Sequence, residues 1–367
     1  MTVPNSAENR LEGLSQILVD SKIDAYLSFT AVNMGYLAGL HEEGGERLLF
    51  LALHSSGQVA MIAPALAKTQ AEKSGLNDIR TWIDGEDPYQ LAHGLFSEWN
   101  VKRVAVDDET RASILLALQN SNANVKFLPG QEAISRLMRN KSAGELDCLR
   151  EAGRIADLAL ANVKSKFKPG QTEWHINEVL SQEMQSLGGR PQFCIIATGQ
   201  NSAEPHHMTD QSEVKQGDVA VIDYGCVYKD YMSDVTRTFC FGTPTSQQSK
   251  VYQTVYDAHM AARQAIRPGV TAESVDKAAR DVIDAAGYGE FFVHRTGHGL
   301  GRRVHEEPYI CKGNSFELEE GNVFSIEPGI YLPGQFGVRI ENIVAVTADG
   351  HESLNGEPSP HMEVLSA

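Results

Sequence analysis

Four carboxylates and one histidine have the types and spacing to do chemistry together. Asp223 closes the apolar run Val219-Ala220-Val221-Ile222, and Asp234 follows it by 11 residues. Glu327 closes a second apolar run, Val323-Phe324-Ser325-Ile326, and Glu341 follows it by 14 residues. A lone carboxylate on a buried strand is unfavourable unless it is paired or bound to a metal. His298, in Thr296-Gly297-His298-Gly299, adds an imidazole. The set is hard and oxygen-rich. It suits two divalent ions of the Mn2+, Co2+ or Zn2+ kind, bridged by carboxylates, and does not suit copper or an iron–sulfur cluster. Several carboxylates at close range stay ionised only beside such positive charge. Taken singly, Asp223 or Glu327 reads sooner as the end of a strand capping a turn.

Internal repetition decides between those readings. Lys168-Pro169-Gly170-Gln171-Thr172 recurs as Arg267-Pro268-Gly269-Val270-Thr271, 99 residues on. Thr198-Gly199 recurs as Thr296-Gly297 at an offset of 98, and Asp223-Tyr224-Gly225 as Glu327-Pro328-Gly329 at 104. Three matches in one order imply two similar α+β halves. Packed about a pseudo-two-fold axis, equivalent positions meet near that axis, which brings Asp223 and Glu327 together. Asp234 and Glu341 then lie on matching return strands.

The rest of the chain must position this constellation. Residues 1–133 alternate short apolar strands, at 25–29, 47–53 and 101–106, with helical stretches, and read as an α/β domain without a catalytic constellation. Residues 134–367 form the second domain. It opens on a long amphipathic helix over 145–165 and carries Thr172 as the N-cap of the next helix. The net charge of −16 over 367 residues argues against a nucleic-acid partner, and no polybasic patch marks a membrane partner. The longest early apolar run is far too short to span a bilayer, and no secretory signal is visible. Cys148, Cys194, Cys226, Cys240 and Cys311 lack paired spacing and read as buried thiols of a cytoplasmic protein.

With these residues in view, the chain resembles the pita-bread metallopeptidases: methionine aminopeptidase, aminopeptidase P and prolidase. The matching segments are IDYG, SDVTRTF, HRTGHGLG, VHEEP, IEPGIY and VRIEN, and the resemblance covers the whole second domain. A preceding domain of this size resembles the Xaa-Pro branch and not methionine aminopeptidase. The resemblance implies an α/β creatinase-like N-terminal domain followed by an α+β pita-bread catalytic domain. It implies Asp223 on one metal, Asp234 and Glu341 bridging both, and His298 and Glu327 on the second. Glu327 would also relay a proton. His206 and His305 would bind substrate or stabilise the oxyanion, and His294 would face substrate.

The activity implied is cleavage of an Xaa-Pro bond in a proline-containing peptide, by a homodimer. The reading preferred is a dipeptidase acting on Xaa-Pro, and the alternative is an aminopeptidase P acting on longer peptides. A metal-free creatinase-like enzyme and a non-enzymatic relative both require lost ligands, and all five are present here. A dipeptidase must recognise the carboxylate just past the proline. Arg47, on a Gly-bearing loop, either supplies that contact or is a surface arginine beside a strand. Arg302 and Arg303 replace the apolar and acidic residues common in relatives. They read as a solvated face or as partners for acidic or C-terminal groups; Glu306 and Glu307 read as solvated charges near the pocket rim, and His207 as a surface or loop residue.

Overall fold

Alternation along the early apolar runs gives a sheet with two buried faces. In the computed structural model, which describes residues 7–365, Tyr26, Leu51 and Met61 enter one core. Leu27, Phe50 and Ile62 enter another. Successive strand side chains point to opposite sides, so each apolar run serves both. Among the described residues the sheet has six strands, ordered Ile79–Trp82, Val59–Pro64, Phe50–His54, Ala25–Ser28, Arg103–Val106 and Lys126–Pro129. The strand expected over 47–53 begins only at Phe50, because a turn from Gly44 to Arg47 occupies the preceding residues. The chain divides between Met138 and Arg139. The helix Gln131–Met138 buries Ala133, Ile134 and Leu137 in the first unit's core, which carries that unit past residue 133.

Asp107, just past Arg103–Val106, organises the end of the sheet's central strands. Its buried carboxylate accepts from the Tyr26 hydroxyl, from Ser28 Oγ at 3.1 Å, from the Phe29 and Thr30 amides at 2.8 and 3.1 Å, and from Asn33 Nδ2 at 2.8 Å. It thereby fixes the start of the helix Ala31–Ala38, where negative charge is also favoured by the helix dipole.

The second unit is built twice. Each half opens on a helix closed by a capping box: Ser142 with Glu145 before Ala143–Val163, and Thr245 with Gln248 before Ser246–Ala265. Such a box satisfies two otherwise orphaned N–H groups. Thr172 and Thr271 then cap Glu173–Ser186 and Ala272–Ala285, and each bridges to a later strand-like residue, Glu213 or Glu317. In the first half Val219–Tyr228 lies antiparallel between Arg190–Thr198 and Val235–Phe241. In the second, Val323–Ile326 lies antiparallel between Gly297–Gly299 and Asn342–Val346.

The repetition puts two ligand-type residues just ahead of equivalent return strands: Asp234 before Val235–Phe241 and Glu341 before Asn342–Val346. It is looser at the outgoing strands. Asp223 lies within its strand, opposite Thr236, whereas Glu327 lies just past Ile326. A separate hairpin, Gly329–Leu332 with Phe336–Arg339, follows Glu327. The cysteines are free thiols; Cys194, Cys226 and Cys240 are buried, and Cys148 and Cys311 are half-buried. No helix among the described residues is long and apolar enough to cross a membrane.

Candidate metal centre

The strand ends converge on a cavity of about 760 Å³ whose lining includes Asp223, Asp234, His298, Glu327 and Glu341. His298 Nε2 lies 3.3 Å from Glu327 Oε1 and 3.7 Å from Asp234 Oδ2. One ligand atom each from Asp234, His298 and Glu341 lies within 4.8 Å of the others. The imidazole is aimed by its other nitrogen, Nδ1, which faces the Gly299 carbonyl at 3.1 Å. That contact leaves Nε2 as the free ligand atom, the usual arrangement around a metal-binding histidine. Burial, and then the neighbouring His305, press the His298 ring down to about 3, so it is neutral and available.

The carboxylates are under electrostatic stress. Burial pushes Asp234 well above the usual range, reinforced by Glu341, Asp223 and Glu327. Glu341 is raised for the same reasons, although Thr236 Oγ1 donates to it at 2.7 Å. Burial also brings Glu327 up to about 7, with Arg339 pulling the other way. Asp223 Oδ2 accepts from Arg339 at 2.7 Å, while its buried Oδ1 has no protein partner. A cluster of four carboxylates, one orphaned oxygen and a neutral imidazole fits divalent cations. Bound charge would satisfy the orphan and cancel the repulsion.

The family now follows from sequence comparison. A profile of metallopeptidase family M24 matches residues 147–348, and one of the creatinase/prolidase N-terminal domain matches residues 10–139. This chain belongs to metallopeptidase family M24. It is 41% identical over 346 residues to the probable dipeptidase PepE of Mycobacterium tuberculosis, covering 91% of this chain and 92% of that one. It is 36% identical over 360 residues to an Xaa-Pro dipeptidase of Lactobacillus helveticus, covering 94% and 96%. The prolidase structure from Thermococcus sibiricus superposes with a TM-score of 0.93 at 34% identity, covering 99% of this chain and all (100%) of that one. The fold is thus a creatinase-type N-terminal domain followed in sequence by the pita-bread catalytic domain, and the M24 family is metal-dependent.

The other residues singled out in this M24 chain fall into three groups. His206, His294 and His305 line the cavity. The His305 ring stands edge-on to His298, with centroids 4.2 Å apart. His294 is held at both nitrogens, by the Tyr331 hydroxyl at 2.8 Å and the Arg295 carbonyl at 2.7 Å, and burial takes it down to about 4. Arg47 lies in the N-terminal unit, where its guanidinium forks onto Asp84 at 3.3 and 3.1 Å and reaches Glu46 at 2.9 Å.

Two surface expectations are overturned and a third holds in part. His207 is a loop residue, but a buried one, because the buried Glu173 carboxylate needs donors and His207 Nε2 meets it at 2.7 Å. Arg302 is buried too, paired with Asp230 at 3.0 Å with its guanidinium over the Tyr231 ring. Glu306 is buried against the ammonium of Lys141.

Arg339 went unnoticed in the sequence. Besides Asp223 it reaches the Tyr331 hydroxyl at 2.9 Å and Thr236 Oγ1 at 3.1 Å, tying the hairpin to the ligand strand. Its signal was available: an arginine between Val338 and Ile340 in an apolar run is expensive to bury without anionic partners. Gly337, two residues earlier, donates its amide to Ser202 Oγ at 2.9 Å, and a Cβ there would come within 2.0 Å of the Ser202 carbonyl.

Proposed function

We propose that this chain hydrolyses the Xaa-Pro bond of dipeptides with a free N-terminus, using two divalent ions. One observation carries the dipeptidase reading: the cavity that holds the carboxylate cluster also presents an uncommitted cation. Arg295 lines it, stacked at 4.6 Å over the Tyr309 ring, and makes no ion pair within 4 Å among the described residues, although its charge acts on Glu327. The carboxylate of an Xaa-Pro dipeptide is the complementary group.

Asp223, Asp234, His298, Glu327 and Glu341 would hold the ions. When bound, such ions supply positive charge at the scissile carbonyl and make water nucleophilic near neutral pH. Glu327, buried beside the proposed ions, takes the proton of the attacking water and returns it to the proline nitrogen as the C–N bond breaks. His206 and His305 donate to the developing oxyanion. His294, bonded at both nitrogens, forms a fixed wall for the substrate.

The test compares Xaa-Pro with Xaa-Pro-Yaa under Mn2+ for the wild type, Arg295→Ala and Arg47→Ala. A desolvated charge-assisted pair is worth roughly 1.5–3 kcal/mol, so Arg295→Ala should lose about 10- to 150-fold in kcat/KM on the dipeptide. It should lose far less on the tripeptide. Selective loss in Arg47→Ala instead would move the contact to the N-terminal unit. A wild type that prefers the tripeptide would make the chain an aminopeptidase P.

A further inference from the structure

A feature outside the ligand set occurs in both halves, though not at equivalent positions: Glu173 opens its helix, and Asp276 is the fifth residue of its own. In each half a carboxylate on the second helix is almost fully buried: Glu173 on Glu173–Ser186 and Asp276 on Ala272–Ala285. Each grips the repeated threonine. Glu173 Oε1 accepts from the Thr198 amide at 2.7 Å and from its hydroxyl at 2.9 Å. Asp276 Oδ1 accepts from the Thr296 amide at 3.2 Å and from its hydroxyl at 2.7 Å. The geometry is the same, but the segments that follow differ in use. Thr296 is two residues from His298. Thr198 begins the segment that carries His206 into the cavity.

Glu173 holds much more of its segment than Thr198. It also accepts from Asn201 Nδ2 at 3.1 Å, His207 Nε2 at 2.7 Å and the Asp210 amide at 3.4 Å. The loop from 198 to 210 is therefore pinned on both sides of His206. Asp276 takes its second partner from its own helix, Arg280 at 2.7 Å. Arg280 in turn donates to the carbonyls of Phe292 and His294, just ahead of Thr296.

We propose that Glu173 and Asp276 are positioning residues with divided tasks: Glu173 sets the substrate-side loop of His206, and Asp276 sets the metal-side strand of His298. The proposal rests on the roles given above to those two histidines. Glu173, His207 and Asp210 also bring three ligand-type atoms within 4.8 Å. Both Glu173 oxygens and His207 Nε2 are already taken up in hydrogen bonds within the loop, which is the bonding of a clamp.

The experiment uses the full chain with Mn2+ and the variants Glu173→Gln and Asp276→Asn. Amide hydrogen exchange reads the clamps without reference to activity. Glu173→Gln should speed exchange across 199–210, and Asp276→Asn across 296–299, each leaving the other segment protected. Calorimetric titration should show Mn2+ affinity falling about 10- to 100-fold in Asp276→Asn, the usual effect of losing support behind a ligand, and unchanged in Glu173→Gln. Glu173→Gln should instead lower kcat on Xaa-Pro by about 10- to 100-fold through misplacement of His206. In a His206→Ala background that loss should shrink to less than about threefold, since coupled residues are not additive. Should either carboxylate variant fail to fold, Thr198→Val and Thr296→Val remove one bond of each clamp and should show the same division more weakly.

Additive losses in the double variant, equal loss of Mn2+ affinity in both variants, or unchanged exchange would overturn the proposal. So would a third Mn2+ per chain that Glu173→Gln abolishes. A wild type that binds Mn2+ and shows the exchange pattern but does not cleave Xaa-Pro would instead overturn the functional reading alone.

Discussion

Asp107 in the N-terminal unit and Asp234 in the catalytic unit are both buried aspartates, and they are held in opposite ways. Asp107 is ringed by donors: two amides, the hydroxyls of Tyr26 and Ser28, and the Asn33 amide group. Asp234 faces Glu341, Asp223 and Glu327, and the neutral imidazole 3.7 Å away turns toward it Nε2, a lone pair and not a donor. Burial is equal, so burial does not separate structure from chemistry. The neighbours do. A carboxylate surrounded by dipoles is complete, whereas one surrounded by other carboxylates is complete only with added positive charge.

The largest expected effect comes from the incomplete side. On the proposed ligand set, Asp234→Asn removes a metal ligand, so the variant should bind fewer than two Mn2+ per chain. It should lose well over the roughly 100-fold in kcat/KM that a supporting contact costs. In chelated protein the same substitution should raise the melting temperature, because one of several repelling charges is gone. Two undiminished sites by calorimetry, or a lower melting temperature after chelation, would break the contrast.

Asp107→Ala should do the reverse. Stranding several buried donors should destabilise the protein by about 2 kcal/mol or more. Urea denaturation would read that loss, and metal analysis should find the Mn2+ content unchanged. A stabilised Asp107 variant would mean that the donors around it are not what holds it.

The smallest effect sharpens the comparison through pH. Glu327, raised toward 7 by burial, binds its proton more readily in the folded chain than in the unfolded one. In chelated protein it should therefore cost stability progressively as pH rises from the ordinary carboxylate range to about 7, and no more beyond that. The stability difference between wild type and Glu327→Gln, measured from about pH 4.5 to 8, should fall across that window and then level. A difference that rises with pH would show that the carboxyl is stabilised as an anion without metal.

The contrast also explains what the sequence could carry. Val104-Ala105-Val106-Asp107 and Val221-Ile222-Asp223 look alike as strings, an apolar run closed by aspartate. Only the repeat marked the second as special, because its counterpart Glu327 stood at the matching place. The strands around Tyr26 and Val104, the Thr172 cap and the paired halves were legible from period and punctuation. The clamps were not, because the sequence places Glu173 on a helix end but does not say that Thr198 and His207 will come to it. The burial of His207 and Arg302 was missed for the same reason. A polar residue reads as exposed until the partner that makes it buriable is known. Arg47 had an evident local sequence context and no visible partner, and the structure supplies Asp84.

The close approach of Gly337 to Ser202 bears on attempts to re-engineer substrate range. Because no Cβ fits between residue 337 and the Ser202 carbonyl, the loop that presents His206 and the hairpin that presents Arg339 are registered against each other through bare backbone. A loop transplanted from a relative into positions 198–210 will seat correctly only if it brings a serine-like donor–acceptor at 202 and meets glycine at 337. Libraries that diversify this loop should therefore hold those two positions fixed and vary Pro205 and Met208, which line the cavity without bracing it.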